Sequence, residues 1–94
     1  MRAEYDSKAD AISIVLVPGT EGASGDEVHE RAVVAIAGGR PVEIQLLYPS
    51  LGTDEPLGAA AGRYSLDAEA LEAAARAALA APNRPVEVDL GAAL

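Results

Sequence analysis

Two aspartates near the start of the chain are the pair of residues whose type and spacing could do chemistry. Asp6 and Asp10 stand four residues apart, and two neighbouring carboxylates can bind a cation or act as acid and base. A hard cation needs several further oxygen ligands, which this spacing does not provide. In a turn between strands, Asp side chains instead accept hydrogen bonds from nearby backbone N–H groups. We therefore expect both residues to be structural and predict no metal site.

His29 is the only histidine of the chain, which has no cysteine. A lone histidine makes a poor metal site, and a general base needs a nucleophile and an orienting group beside it. Neither Ser24 nor Ser50 stands in a nucleophile-elbow motif. We expect His29 to be a solvent-facing residue of a strand, and the sequence predicts no catalytic residue.

Two short segments, residues 38–40 and 58–63, carry two glycines each. A phosphate-binding loop would continue with Lys and then Ser or Thr, and a dinucleotide fingerprint would join a strand to a helix. Neither segment has these features. We expect both to be turns and predict no bound cofactor.

The acidic balance of the chain restricts its partners. Fifteen acidic residues stand against seven basic ones, which gives a formal charge of −8. Such a field repels phosphate backbones and anionic lipids, so we expect no direct nucleic-acid partner and no membrane partner. The same charge favours solubility and attracts a basic protein. The chain shows neither a signal-peptide pattern nor a long apolar run, which predicts a cytoplasmic protein.

Alternating apolar residues predict the strands that must position these side chains. We expect strands at residues 2–5, 11–17, 27–37, 41–48 and 85–90. Residues 11–17 are almost wholly apolar, which predicts that both faces of that strand are covered. In the strand at 27–37, alternation separates Val28, Ala32, Val34 and Ile36 from His29, Arg31, Val33 and Ala35.

The rest of the chain divides into two loops and one helix. Segments 18–26 and 49–62 have the composition of irregular loops. Residues 66–80 favour a helix capped by Ser65 or Asp67, with a pair of side chains at Glu72 and Arg76. Its predicted apolar stripe is Leu71, Ala75 and Leu79, with Ala74 and Ala78 beside it.

These elements predict a single α+β domain over residues 1–94. Residues 1–51 form a β-meander, and residues 64–94 supply one helix and a final strand. We expect a small antiparallel sheet of about four meander strands, with the helix packed on one face and a last strand added at an edge.

The first half of the chain resembles a known family. Tyr5-Asp6-Ser7-Lys8-Ala9-Asp10-Ala11-Ile12-Ser13-Ile14 is similar to the Y-D-x-x-x-D-x-[L/I]-x-[I/F] opening of the prokaryotic domain of unknown function 2283 family, and residues 28–50 resemble its second half. Glu43-Ile44-Gln45 and Tyr48-Pro49-Ser50 depart from that family's usual Gly-Ile-Glu and Ala-Ser. The resemblance covers about residues 1–51. It implies a compact β-meander without an assigned activity, and some members look like partners of small toxins.

Two functions from different classes remain open. The sequence has few side chains that could be catalytic, which favours a non-enzymatic interaction module. One form of such a module is an antitoxin-like partner of a basic protein. The alternative is a small-molecule-binding or enzymatic domain whose pocket forms only on folding or dimerisation.

We also predict a homodimer, because a single helix covers only one face of a sheet that is apolar on both. The residues expected on the second face are Val15, Val17, Val33, Ala35 and Leu47. A self-complementary interface would remove this surface from water. If the segments 18–26 and 49–64 cover it instead, the chain is a monomer.

Overall fold

The computed structural model describes residues 1–20 and 24–88. The elements follow in the order β1 (Arg2–Asp6), β2 (Ala11–Val15), β3 (Ser24–His29), β4 (Ala32–Ala37), β5 (Arg40–Leu47), a 3-10 helix (Pro49–Leu51), α1 (Asp54–Tyr64), α2 (Ala68–Ala80) and β6 (Val86–Glu87). The predicted α+β class is confirmed. The number of elements differs from the prediction. The described residues form six strands and two α-helices rather than about four strands and one helix.

The strands form one antiparallel sheet in the order β3-β4-β5-β2-β1-β6. β5 pairs with β2, so the β1–β2 hairpin and the β4–β5 hairpin meet in the middle of the sheet. β6 pairs with β1 through two residues, Val86 and Glu87. The predicted edge position of the last strand is confirmed for these two residues. Asp89 and Leu90, which the same prediction includes, lie outside the described residues.

The strand predicted at 27–37 is in fact two strands. β3 and β4 pair with a register shift between Glu27 and His29, and the chain turns between them at Glu30 and Arg31. His29 Nδ1 accepts a hydrogen bond from the backbone N–H of Arg31 at 3.1 Å and so helps to close this turn. Because no glycine or proline marks the turn, alternation alone predicts one long strand. The first residues of β3 come from the predicted loop.

α1 occupies most of the segment that was expected to be irregular. Pro56 lies in its first turn, where the missing N–H costs no hydrogen bond. Two glycines lower the intrinsic helix propensity of the segment, so the sequence alone does not indicate a helix. Leu57 and Ala60 are fully buried in the core, and this packing supplies the stability that propensity lacks.

α2 confirms the predicted C-terminal helix, which begins two residues later than expected. Asp67 is its N-cap, and its Oδ1 accepts hydrogen bonds from the backbone N–H groups of Glu69 at 3.0 Å and Ala70 at 3.3 Å. Ser65, the other predicted cap, instead ends α1 in a left-handed conformation with a φ of 56°.

Two side chains of α2 differ from expectation. Glu72 Oε2 accepts a hydrogen bond from Thr53 Oγ1 at 2.8 Å, and among the described residues no ion pair joins Glu72 to Arg76. Leu79, expected in the buried stripe, is 36% exposed. Ala74 and Ala78, predicted beside the stripe, are buried with Leu71 and Ala75, and their small side chains let the helix approach the sheet closely.

Both helices lie on the same face of the sheet. α1 contacts β3, β4 and β5, α2 contacts β1, β2 and β6, and the two helices contact each other. They enclose one hydrophobic cluster, whose members include Ala3, Ile12, Ile14, Val34, Ile44, Leu46, Leu57, Ala60, Leu71, Ala74, Ala75 and Ala78.

The other face of the sheet carries neither helix. The prediction that both faces of residues 11–17 are covered is therefore wrong, because Ser13 and Val15 are only half-buried there and Val17 is 41% exposed. The segment 49–64 joins the helical layer, so it does not cover the second face either.

Candidate protein-interaction surface

The side of the sheet that carries neither helix is built from alternate residues of all six strands. Strand pairing places them in three rows: Glu87, Arg2, Val15, Glu43, Ala35 and Gly25; Glu4, Ser13, Gln45, Val33 and Glu27; and Asp6, Ala11 and Leu47. We refer to these residues as the open face. Alternation in the sequence predicts which residues of each strand share a side, but the rows exist only because of the strand order.

Carboxylates dominate the charge of the open face. Five of its residues are acidic and one is basic: Glu4, Asp6, Glu27, Glu43 and Glu87 against Arg2. Arg2 Nε lies 3.6 Å from Glu87 Oε1, and more than half of each side chain is exposed, so this ion pair contributes little stability. The face as a whole is negative and attracts cationic groups.

Aliphatic and small residues occupy the middle of the open face. Val15, Val33, Ala35 and Leu47 are each half-buried. One shallow depression of about 250 Å³ is lined by Val33, Ala35, Glu43 and Gln45. A second, of about 330 Å³, is lined by Arg2, Glu4, Asp6, Ala9, Ala11, Ile12, Ser13, Val15 and Gln45. The face therefore combines aliphatic residues with carboxylates. Glu43 lies among the aliphatic residues, and the other four carboxylates lie on the outer strands β1, β3 and β6.

Asp6 has the turn-closing role that the sequence predicts. Its Oδ1 accepts hydrogen bonds from the backbone N–H groups of Lys8 at 3.0 Å and Ala9 at 3.3 Å, in the turn between β1 and β2.

Asp10 has a different structural role from the one expected. Its carboxylate accepts from side chains, namely the Tyr5 hydroxyl at 3.0 Å and Ser50 Oγ at 2.8 Å. The hydrogen bond to Asp10 raises the pKa of Tyr5, and burial and the negative charges of Asp10 and Asp6 raise it further. Ser50, considered above as a nucleophile, thus ties the 3-10 helix to the β1–β2 turn.

His29 lies on the helix-covered side of the sheet, where it pairs with Ala32. The prediction that it faces solvent is wrong, because its side chain is 21% exposed and its Nε2 lies 3.8 Å from Glu55 Oε2 at the start of α1. The register shift in β3 turns the residue to this side. Its Nδ1 accepts the hydrogen bond from the backbone N–H of Arg31, and its Nε2 is the ring nitrogen nearest Glu55.

The start of β3 is tied to the end of α1. The Tyr64 hydroxyl donates to Asp26 Oδ2 at 2.5 Å, and Arg63 Nε lies 3.5 Å from the same oxygen. This hydrogen bond raises the pKa of Tyr64, with burial and the charge of Asp26 acting in the same direction. Asp26 therefore belongs to the helical side and is not part of the open face.

The two glycine-bearing segments have different outcomes. Gly38 and Gly39 turn the chain between β4 and β5 with φ values of 59° and 77°, which confirms the predicted hairpin turn. Residues 58–63 lie inside α1, so the prediction of a turn there is wrong.

A groove of about 610 Å³ runs between α1 and α2. It is lined by Asp54, Gly58, Ala68, Glu69, Glu72, Ala73 and Arg76. Glu72 Oε1 is buried without a hydrogen-bond partner among the described residues. Within residues 1–20 and 24–88, no group of three His, Asp or Glu side chains is arranged to hold a metal ion.

Comparisons of the chain with protein-family models, with curated proteins and with solved structures gave no match. The resemblance to the domain of unknown function 2283 family thus stays a prediction. None of the helices in the described part of the chain is long and apolar enough to cross a bilayer.

Proposed function

We propose that the protein is a non-enzymatic interaction module whose open face binds a basic protein, in the manner of an antitoxin that covers a small toxin. The observation that carries the proposal is the composition of this face, where aliphatic residues lie among five carboxylates and one guanidinium. Buried apolar contact would supply the affinity, and the carboxylates would select a cationic partner and speed its association.

Charge distinguishes a basic protein from the other molecules that could bind the open face. A nucleic acid or an anionic membrane would meet the five carboxylates and be repelled. A second copy of this chain would bring another five carboxylates to the interface. A protein rich in Lys and Arg neutralises them, which favours it over both.

The test uses the product of an adjacent gene, where that gene encodes a small basic protein, purified and titrated against the full chain by calorimetry. We expect binding that weakens as salt is added, because salt screens exposed charges. Glu4→Lys and Glu43→Lys should each lower the affinity, while Glu69→Lys on the exposed side of α2 should leave it unchanged. Binding that is insensitive to both open-face variants would contradict the proposal.

A homodimer through the open face is the second candidate, and the half-buried Val15, Val33, Ala35 and Leu47 favour it. Light scattering coupled to gel filtration distinguishes one chain of 9.5 kDa from twice that mass. Because the two faces carry like charges, such a dimer should strengthen with salt, which is the opposite of a complex with a basic protein. Val33→Asp should dissociate it without unfolding the chain. A single-chain mass at micromolar concentration would exclude the dimer.

The alternative of a small-molecule-binding or enzymatic domain would use the groove between α1 and α2. Its support is the buried Glu72 oxygen without a partner, which a ligand donor could satisfy.

A further inference from the structure

Glu43 differs from the other carboxylates of the open face because its side chain is oriented. Ser13 Oγ donates a hydrogen bond to Glu43 Oε2 at 2.7 Å, across the β2–β5 pair, and Glu43 is half-buried. Within residues 1–20 and 24–88, no Lys, Arg or His nitrogen lies within 4.0 Å of its carboxylate. A carboxylate held in place near the middle of a negative surface is a preorganised acceptor for a cation that the described residues do not supply.

The surface beside Glu43 suits a long side chain with an apolar stem. The depression of about 250 Å³ has Val33 and Ala35 as its aliphatic part and Gln45 as a second polar group next to Glu43. Gly25 follows Ala35 in the same row and has no side chain to close the outer end. A Cβ at Gly25 would lie 3.2 Å from Val33 Cγ1, so even alanine would press on this wall.

Arginine fits this combination better than lysine does. Its methylene stem packs on aliphatic surface while its planar guanidinium donates two parallel hydrogen bonds to one carboxylate. A carboxylate oxygen has two lone pairs, so Glu43 Oε2 can accept from both Ser13 and a guanidinium. The side-chain amide oxygen of Gln45 offers a further acceptor for the remaining N–H groups. Lysine presents one compact ammonium and gains less from a fixed planar acceptor.

We propose that the open face recognises an arginine side chain of its partner, with the guanidinium on Glu43 and the stem on Val33 and Ala35. This inference rests on the proposed function, because it names the group by which the basic partner is held. Ser13 is a positioning residue in this arrangement, since it acts by fixing the Glu43 carboxylate.

The test compares two short peptides that differ only in having arginine or lysine at every basic position. Each is titrated into the isotopically labelled full chain, and backbone amide shifts are followed by NMR. We expect the arginine peptide to shift the amides of Ser13, Val33, Ala35 and Glu43 and to bind about fivefold more tightly than the lysine peptide. Glu43→Gln, which keeps the shape of the side chain, should remove this preference, and Ser13→Ala should reduce it.

Glu4→Gln is the matched control, because Glu4 lies on the same face but outside this depression. It should weaken both peptides equally and leave the preference for arginine unchanged. Thermal melting of each variant verifies that the chain is folded. If both peptides shift open-face amides with equal affinity, the arginine site is wrong while the proposed function stands. If neither peptide shifts the open face, both proposals fail.

Discussion

Asp10 takes a backbone conformation that most residues avoid, with a φ of 51°. Three hydrogen bonds surround it: two to its carboxylate, from Tyr5 and Ser50, and one from the backbone N–H of Tyr48 to its carbonyl oxygen at 2.7 Å. Tyr48 is also left-handed, with a φ of 51°. The β1–β2 turn and the end of β5 are thus joined through one aspartate, which explains why this residue type stands there.

Asp10→Ala should lower the free energy of unfolding by about 2 kcal/mol. The change removes both side-chain acceptor contacts and leaves a residue that tolerates the left-handed conformation less well. Urea denaturation measures the loss. Asp10→Asn is the control, because asparagine accepts a hydrogen bond and adopts this conformation readily, so it should cost less than alanine does. Equal stability of Asp10→Ala and the parent would show that the two side-chain hydrogen bonds are not stabilising.

The two tyrosines with raised pKa values predict how stability depends on pH. Tyr5 and Tyr64 donate to carboxylates only while they are protonated. In the unfolded chain they ionise near the ordinary value of 10.0, before they do so in the folded chain. Their contribution to stability is therefore complete below that pH and is lost as the pH rises through their folded-state pKa values.

Urea unfolding at pH values below and above 10 tests this dependence. The parent should lose stability on the alkaline side, and the double variant Tyr5→Phe/Tyr64→Phe should lose less. An equally steep decline in the double variant would assign the effect to other groups.

At the scale of the elements, α2 depends on one side chain at its start. Asp67 satisfies two of the backbone N–H groups that a helix end leaves without partners. Asp67→Ala should cost about 0.5–2 kcal/mol in chemical denaturation. Asp67→Ser retains a capping oxygen and should recover most of this loss. If both variants match the parent, the cap does not limit the stability of the domain.

β5 is the strand whose truncation should be most costly. Ile44 is fully buried and lies opposite Ile14 on one side and Val34 on the other. Ile44→Ala should cost about 2–5 kcal/mol, because it leaves a cavity in the middle of the core. The adjacent Gln45 points to the open face, so Gln45→Ala should change stability by less than about 0.5 kcal/mol. A melt of Ile44→Ala within a degree of the parent would contradict the observed facing of β5.

At the scale of the whole molecule, the layers are one-sided. Both helices cover the same face of the sheet. The strand order places β2 and β5 at the centre of the sheet and β3 and β6 at its edges. Local unfolding of a strand costs least free energy where few hydrogen bonds and packing contacts must be broken.

Amide hydrogen exchange should follow this order of strands. The amides of Ile14 and Ile44 are expected among the slowest, and those of Ser24 and Glu87 among the fastest. Protection in β3 equal to that in β5 would mean that another chain covers this edge in solution, and it would contradict a free edge at β3.

Much of the strand pattern follows from the sequence alone. Period-two alternation is local, so it predicts which residues of β2 and β5 face the core. Ile12, Ile14, Val42, Ile44 and Leu46 are buried as predicted, whereas Tyr48, predicted on the same side, is 51% exposed. Gly38-Gly39 predicts its hairpin because only glycine adopts both positive φ values without strain. The cap at Asp67 is equally local. For the surface, alternation also separates Glu43 and Gln45 from the core, although it does not show which residues lie beside them.

The tertiary structure decided the features on which the proposed function depends. α1 is a helix because burial of Leu57 and Ala60 outweighs its glycines, and that burial exists only once the sheet has formed. The register shift that turns His29 inward depends on pairing between β3 and β4. The open face exists because both helices pack on one side, which alternation cannot predict when both faces contain aliphatic residues. Glu43 lies next to Ser13 only because β5 pairs with β2, thirty positions earlier in the chain. Such neighbours are set by the free energy of packing the whole chain, and no local pattern contains that information.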